Sequence, residues 1–234
     1  MIIALETSAA VGGVALIESG HVLAERVLGP DTQFARDVLP ALDELLEQTS
    51  RSLEQCELIA LSVGPGSFTG LRIGLATALG LCFGTARRIV PVPTLAALAL
   101  RADGEVRVPM LDARKRQVYA GVYASDGSSL LPDRASDPLQ FLRSLDAFPQ
   151  LTFLGSGASL YRDDIERALG DRARLQVGDG EGWPSARSVG LLGERLARAG
   201  HASAPHEVEL RYLRASQAEL EGPAAPLDTH GRNA

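Results

Sequence analysis

Three short stretches of this chain carry residue types that could bind phosphate. Gly64-Pro65-Gly66-Ser67-Phe68-Thr69-Gly70-Leu71-Arg72-Ile73-Gly74 leaves an apolar run, Leu58 to Val63, and enters a segment to Gly84 that is apolar or small except at Arg72. Strand, glycine loop and helix is how phosphate-binding loops are built, with backbone N–H groups at the helix start aimed at the anion. The other two stretches are acidic turns that follow apolar runs, Glu6-Thr7-Ser8 and Asp112-Ala113-Arg114. A carboxylate beside hydroxyls at a strand end can hold a phosphate or a metal-bound water. It can equally well cap a turn.

Spacing narrows the chemistry. A Walker A loop needs four residues between its glycines and then Lys and Ser/Thr. Here Gly64 and Gly70 enclose five, and Leu71 follows. A dinucleotide fingerprint needs a tighter glycine spacing than Gly64, Gly66 and Gly70 give, and an acid about 20 residues on. No Asp or Glu stands between Glu57 and Asp103. The glycines therefore read as tight turns leading into a packed helix. His21, His201, His206 and His230 form no helical i, i+4 metal pair. No Ser-His-Asp arrangement follows from spacing, and Ser67 reads as structural. Cys56 and Cys82 lie in or beside apolar runs and read as buried thiols of a reducing compartment. Arg87-Arg88 and Arg114-Lys115-Arg116 are the basic clusters. A net charge of −6 and a pI of about 5.3 make a poor footprint for gripping nucleic acid unaided. The chain opens on Ile2-Ile3-Ala4-Leu5 with no basic leader, so a cytoplasmic protein without a membrane anchor is expected.

The elements that must position these turns follow from periodicity. Ile2 to Glu6, Gly13 to Glu18 and His21 to Val27 read as strands. Residues 31–48 read as an amphipathic helix, capped by Asp31 or Thr32. Its stripe is Phe34, Val38, Leu42 and Leu45, widened by Leu39 and Leu46, and Pro40 should kink or divide it. In helix 70–84, Gly70, Gly74, Ala78 and Cys82 share a face beside the ridge of Leu71, Leu75, Leu79 and Phe83. A helix apolar all round is central to a core or covered by a partner. A strand at 87–93 and a helix at 94–100 end at a polar break, 101–105.

The plan then restarts. Val106 to Leu111 is a strand, 112–116 a charged turn, and Gln117 to Ala124 a strand ending at Asp126-Gly127. Asp112 falls where Glu6 falls, which predicts a duplicated α/β fold of two lobes, 1–105 and 106–218. A helix at 138–145, a strand at 151–154, a helix-start turn at Gly155-Ser156-Gly157, a helix at 159–169 and a strand at 174–177 fill the second lobe. The last helix, ending at Ala199 before Gly200, is free to pack back on the first lobe. Residues 219–234 read as a disordered tail.

The uninterrupted run from Gly64 to Gly74 resembles the signature of the TsaB (YeaZ) family of bacterial tRNA threonylcarbamoyladenosine biosynthesis proteins. The Asp112-Ala113-Arg114 turn with Val118-Tyr119, and Tyr212-Leu213-Arg214 near the end, resemble that family too. The resemblance covers most of residues 1–214. It implies the two-lobed actin-like ATPase fold shared by sugar kinases, Hsp70 and actin. It also implies a non-catalytic scaffold or activating subunit, required by the complex that places threonylcarbamoyl on an adenosine of tRNA. The metal, ATP and transfer chemistry would then belong to the assembled complex with its catalytic paralogue TsaD and the ATPase TsaE. Contact with tRNA would come through that complex, and the chain alone would form a homodimer. Thr7, Ser8 and Asp112 are the residues of vestigial phosphate loops, since neither acidic turn has the glycine found after the acid in working ATPases of this plan. Phe34, Val38, Leu42 and Leu45, with Leu71, Gly74, Leu75, Ala78 and Leu79, are the expected partner interface. A free-standing ATPase or phosphotransferase using Glu6, Thr7 and Asp112 is the rival reading, and a glycoprotease-type peptidase a more distant one.

Overall fold

A computed structural model describes residues 1–178 and 182–214. The first sheet holds β1 (Ile2–Glu6), β2 (Gly12–Glu18), β3 (His21–Leu28), β4 (Leu58–Ser62) and β5 (Arg88–Val92), in the order β3-β2-β1-β4-β5. β1 pairs antiparallel with β2 and parallel with β4. The second sheet holds β6 (Val106–Asp112), β7 (Val118–Ala124), β8 (Ser129–Ser136), β9 (Leu151–Leu154) and β10 (Ala173–Gln176), in the order β10-β9-β6-β7-β8. Strand for strand this is the same plan: an antiparallel meander whose first strand is extended by two further strands in parallel, one beyond the other. The duplication is real, and the architecture is the two-lobed actin-like one.

Alternation along the strands decides what covers each face. Ile3, Leu5, Val14, Leu16, Ile59 and Leu61 bury against α1 (Phe34–Gln48) and α2 (Phe68–Cys82). Ile2, Ala4, Ala15, Ile17, Ala60 and Val90 point the other way. They share a core with α3 (Thr94–Ala99), the second-lobe residues Leu111, Tyr123 and Leu154, and a helix late in the chain. The second sheet's outer face is closed by Phe141 and Leu142 of α4 (Pro138–Arg143), Ala158 of α5 (Ser156–Leu160), and Ile165 and Leu169 of α6 (Arg162–Leu169). That late helix, α7 (Ala186–Arg198), lies on β1, β2, β4 and β5, and Ser203 then bridges to Ile89. The chain after β10 thus returns to the first lobe, while Arg195, Arg211 and Arg214 reach across to the second.

Several elements differ from the sequence reading. α1 begins at Phe34. Neither Asp31 nor Thr32 caps it; the Asp37 carboxylate reaches back to the backbone N–H of Gln33. It also runs on through Pro40. The ring stands on the exposed side, where water can satisfy the Arg36 carbonyl that loses its donor. Residues 159–169 are not one helix, because the chain breaks at Tyr161 between α5 and α6. β8 was not foreseen. It is an edge strand carrying Pro132, tolerated there because one side of an edge needs no ladder donor. The proposed tail 219–234 lies outside the described residues.

Candidate functional site

β1 and β6 both end at a cleft between the lobes, about 650 Å³ in volume. Ser8, Gly66 and Phe68 line it from the first lobe, and Asp112, Arg114, Lys115 and Tyr119 from the second; Trp183, Tyr212 and Arg214 close it. Crevices at the carboxyl ends of strands, where neighbouring strands change direction, are where such folds place ligands.

Only the far edge of the first-lobe turn, from Ser8 on, reaches this cleft; its carboxylate and Thr7 are shut off from it. Glu6 and Thr7 are completely buried, and Ser8 nearly so. Glu6 Oε1 accepts the Ser8 backbone N–H at 2.6 Å and the Ser8 hydroxyl at 2.5 Å, while Oε2 has no partner among the described residues. Burial pushes the Glu6 carboxyl up to about 7, against a weaker downward pull from the Ser8 bonds and the nearby Ser62 hydroxyl. Thr7, expected as a phosphate ligand, spends its hydroxyl on the Gly70 carbonyl at 2.8 Å. Ser8 gives its hydroxyl to Glu6 and its carbonyl to the Ser67 N–H at 2.6 Å.

The signature loop does the sealing. A Cβ on Gly66 would collide with the Ser8 carbonyl, one on Gly70 with the Thr7 carbonyl, and one on Gly74 with the Thr7 hydroxyl. Small residues are required here because α2 comes down directly on the end of β1. Ser67 caps α2 by accepting the Gly70 N–H at 3.2 Å. Upstream, the Gly64 N–H donates to Thr94 Oγ1 and its carbonyl accepts from the Thr94 N–H, behind the buried Pro65. Thr69 is exposed on the first turn of α2. Arg72 lays its guanidinium 3.7 Å above the Phe68 ring.

The second-lobe turn is open. Asp112 accepts the Arg114 N–H at 2.8 Å and pairs with its guanidinium at 3.5 Å, and its own N–H is held by Ser156 Oγ. Arg114, Lys115 and Arg116 all have positive φ, between 51° and 63°. Three successive left-handed residues without a glycine are strained, at about 1–2 kcal/mol each.

Sequence reasoning missed the contacts that join the lobes here. The Arg211 N–H donates to the Val63 carbonyl at 2.7 Å, Tyr212 packs on Phe68 with ring centroids 5.0 Å apart, and Arg214 reaches the Ala113 carbonyl at 3.1 Å. Asp133, a buried carboxylate on β8, accepts the Tyr123 hydroxyl and lies 3.9 Å from the Arg211 guanidinium. Burial raises the Asp133 carboxyl and the Tyr123 phenol alike. A lone acid inside an edge strand was the available signal.

The expected interface residues separate into two groups. Val38, Leu42, Leu45, Leu71, Gly74 and Ala78 are buried in the chain's own core, and in the small-residue row of α2 Gly70 packs on Thr7 at the end of β1 and Gly74 on Thr7 and on Leu61 of β4. This corrects the expectation that the row admits a partner. Leu79 faces outward at 38% exposure, with Phe34 and Leu75 half-buried; Phe83 at 88% and Leu39 at 50%, outside the expected set, are exposed beside them. Cys56 and Cys82 are buried free thiols, their pKa values raised by burial. Among the described residues, no group of three or more His, Cys, Asp or Glu side chains converges, and no helix is long and apolar enough to cross a membrane.

Comparison with known proteins agrees with this geometry. Residues 22–221 match the family model described as TsaD, tRNA N6-adenosine threonylcarbamoyltransferase. The tRNA threonylcarbamoyladenosine biosynthesis protein TsaB of Bacillus subtilis is 31% identical over 94% of this chain and 96% of its own length. The protein of that name from Escherichia coli is 30% identical over 91% and 94%. Among solved structures, YeaZ from Pseudomonas aeruginosa superposes with a TM-score of 0.77 at 26% identity, covering 91% of this chain and 99% of that one.

Proposed function

We propose that this chain, which belongs to the TsaB family, is the non-catalytic subunit of a cytoplasmic tRNA threonylcarbamoyladenosine-forming complex, and that it works by binding the catalytic subunit TsaD. The observation that carries this reading is the sealed turn: Glu6, Thr7 and Ser8 are spent on one another and on the signature loop, so the acidic turn of the first lobe offers no free side chain to a nucleotide phosphate. ATP, metal and transfer chemistry then belong to the partners, TsaD and the ATPase TsaE, and tRNA is engaged within the assembly. The apolar edge of α1 and α2 around Leu39, Leu75, Leu79 and Phe83 is the docking surface, used by a second copy when the chain is alone and by the partner otherwise.

The test is reconstitution with both partners and tRNA. Omitting this chain should abolish modification, and the chain alone should hydrolyse no ATP. Leu79→Glu should stay folded by circular dichroism, because Leu79 is outside the core, while losing both the homodimer and the partner in sedimentation. Leu71→Glu should unfold the protein instead. Isolated turnover that disappears in Asp112→Ala would overturn the silent-subunit reading. A folded Leu79→Glu variant that binds TsaD like the wild type would overturn the docking surface.

A further inference from the structure

Resting on the function just proposed, we infer that the rim of the inter-lobe cleft is a direct contact for single-stranded RNA. Two adjacent tRNA phosphates would be held on the 114–116 turn, by Lys115 and Arg116, and an unpaired base stacked on Tyr212.

Charge distribution is the first observation. The chain has a net charge of −6, yet Arg72, Arg114, Lys115, Arg116 and Arg214 gather on or beside this cleft with Asp112 as the carboxylate among its lining residues. Among the described residues, none of Arg72, Lys115 and Arg116 has an ion-pair partner within 4.0 Å. One group of acids lies elsewhere, on α1 (Asp37, Asp43, Glu44, Glu47), while Asp137 and Asp164 come near Arg116 around Tyr161 without pairing with it. A stability argument would put a glycine in the 114–116 turn. Three strained cationic residues stand there instead, and strain of this kind persists where a turn has a task.

The aromatic surface is the second observation. Phe68 meets both the Arg72 guanidinium and, at a tilt, the Tyr212 ring, and Tyr212 is 41% exposed and lines the cleft. Trp183 lines it too. A cationic groove beside aromatic faces is how single strands are held, phosphates by charge and bases by stacking. Unpaired bases of RNA are the ones open to such stacking. Because the patch is small, it would contribute to tRNA affinity within the complex without creating it, which agrees with the acidic chain as a whole.

The experiment uses the reconstituted complex and measures tRNA affinity from 50 to 200 mM salt. Lys115→Ala with Arg116→Ala should weaken binding about tenfold at low salt and flatten the log–log salt slope by roughly 1.5, two lost phosphate contacts at about 0.7–0.9 each. Tyr212→Ala should weaken binding about tenfold at every salt concentration, and Tyr212→Phe should not, because stacking needs the ring alone. Sedimentation checks that each variant still assembles. Unchanged affinity and slope in intact variant complexes would overturn the inference. So would variants that fail to assemble, which would make the rim a protein contact, or variants that lose only ATP binding, which would make it a nucleotide contact. A wild-type chain that supports no modification sinks the proposed function itself, and this inference with it. Modification that persists beside an unmoved slope sinks this inference alone.

Discussion

In both lobes the fourth strand feeds a helix through a glycine turn that lands on the end of the central strand. In the first lobe β4 leads to the fifteen-residue α2, whose glycines touch Ser8 and Thr7. In the second, β9 leads through Gly155-Ser156-Gly157 to the five-residue α5, and those glycines touch Met110 and Leu111. The device is the same and the outcome opposite. The long helix buries its acidic turn completely; the short one leaves Asp112 and the basic residues after it open to the cleft. One duplicated plan can thus give a closed acidic turn on one side and an open, cationic one on the other.

Breaking the seal should have the largest effect. Gly70→Ala drives a methyl into the Thr7 carbonyl, a backbone atom that cannot step aside, and should cost about 3 kcal/mol or more in urea unfolding. Gly157→Ala meets backbone atoms at 3.0–3.1 Å and should cost about 1–2 kcal/mol. Gly80→Ala, exposed on the same α2 with nothing within 4 Å, should instead gain about 0.5–1 kcal/mol. Equal costs at Gly70 and Gly157 would remove the claimed difference between the lobes.

The next test asks whether the seal is dry. Burial raises Glu6 from 4.5 to about 7. A carboxyl that holds its proton more tightly when folded stabilises the fold fully below pH 4.5. That contribution is lost as the pH rises through 7, leaving a charge penalty of roughly 3 kcal/mol above it. Glu6→Gln should therefore match the wild type near pH 4.5, grow more stable between pH 4.5 and 7, and keep a constant lead at pH 8. A lead independent of pH would mean that water reaches the carboxylate.

The sequence revealed strands wherever apolar runs were bounded by turns, as at Ile2 to Glu6 and Leu58 to Ser62, and it placed Asp112 opposite Glu6 by the restart of one pattern. It also read the signature glycines as close-packing turns. What they pack against was out of reach, because Thr7 and Gly70 meet across 63 residues of chain. The ridge of α2 was legible as apolar, but apolarity does not say whether a residue faces its own sheet, as Leu71 does, or the outside, as Leu79 does. β8 was hidden by Pro132 and Asp133, whose reasons for being there are an edge position and the Arg211 and Tyr123 contacts.

The smallest expected effect concerns the turns themselves. After β1, residues Ser8 to Val11 show no left-handed φ, whereas Lys115 after β6 sits at 51°. Glycine relieves the left-handed penalty of about 1–2 kcal/mol but frees the unfolded chain by roughly 0.5–1 kcal/mol. Lys115→Gly should therefore stabilise the protein by only about 0.5 kcal/mol. Ala9→Gly in the first-lobe turn gets no such relief and should destabilise by a similar amount. The signs are opposite because the relief of left-handed strain exists at only one of the two turns. If Lys115→Gly destabilises like Ala9→Gly, the second-lobe turn carries no strain, and the contrast between an unstrained sealed turn and a strained open one fails at that residue.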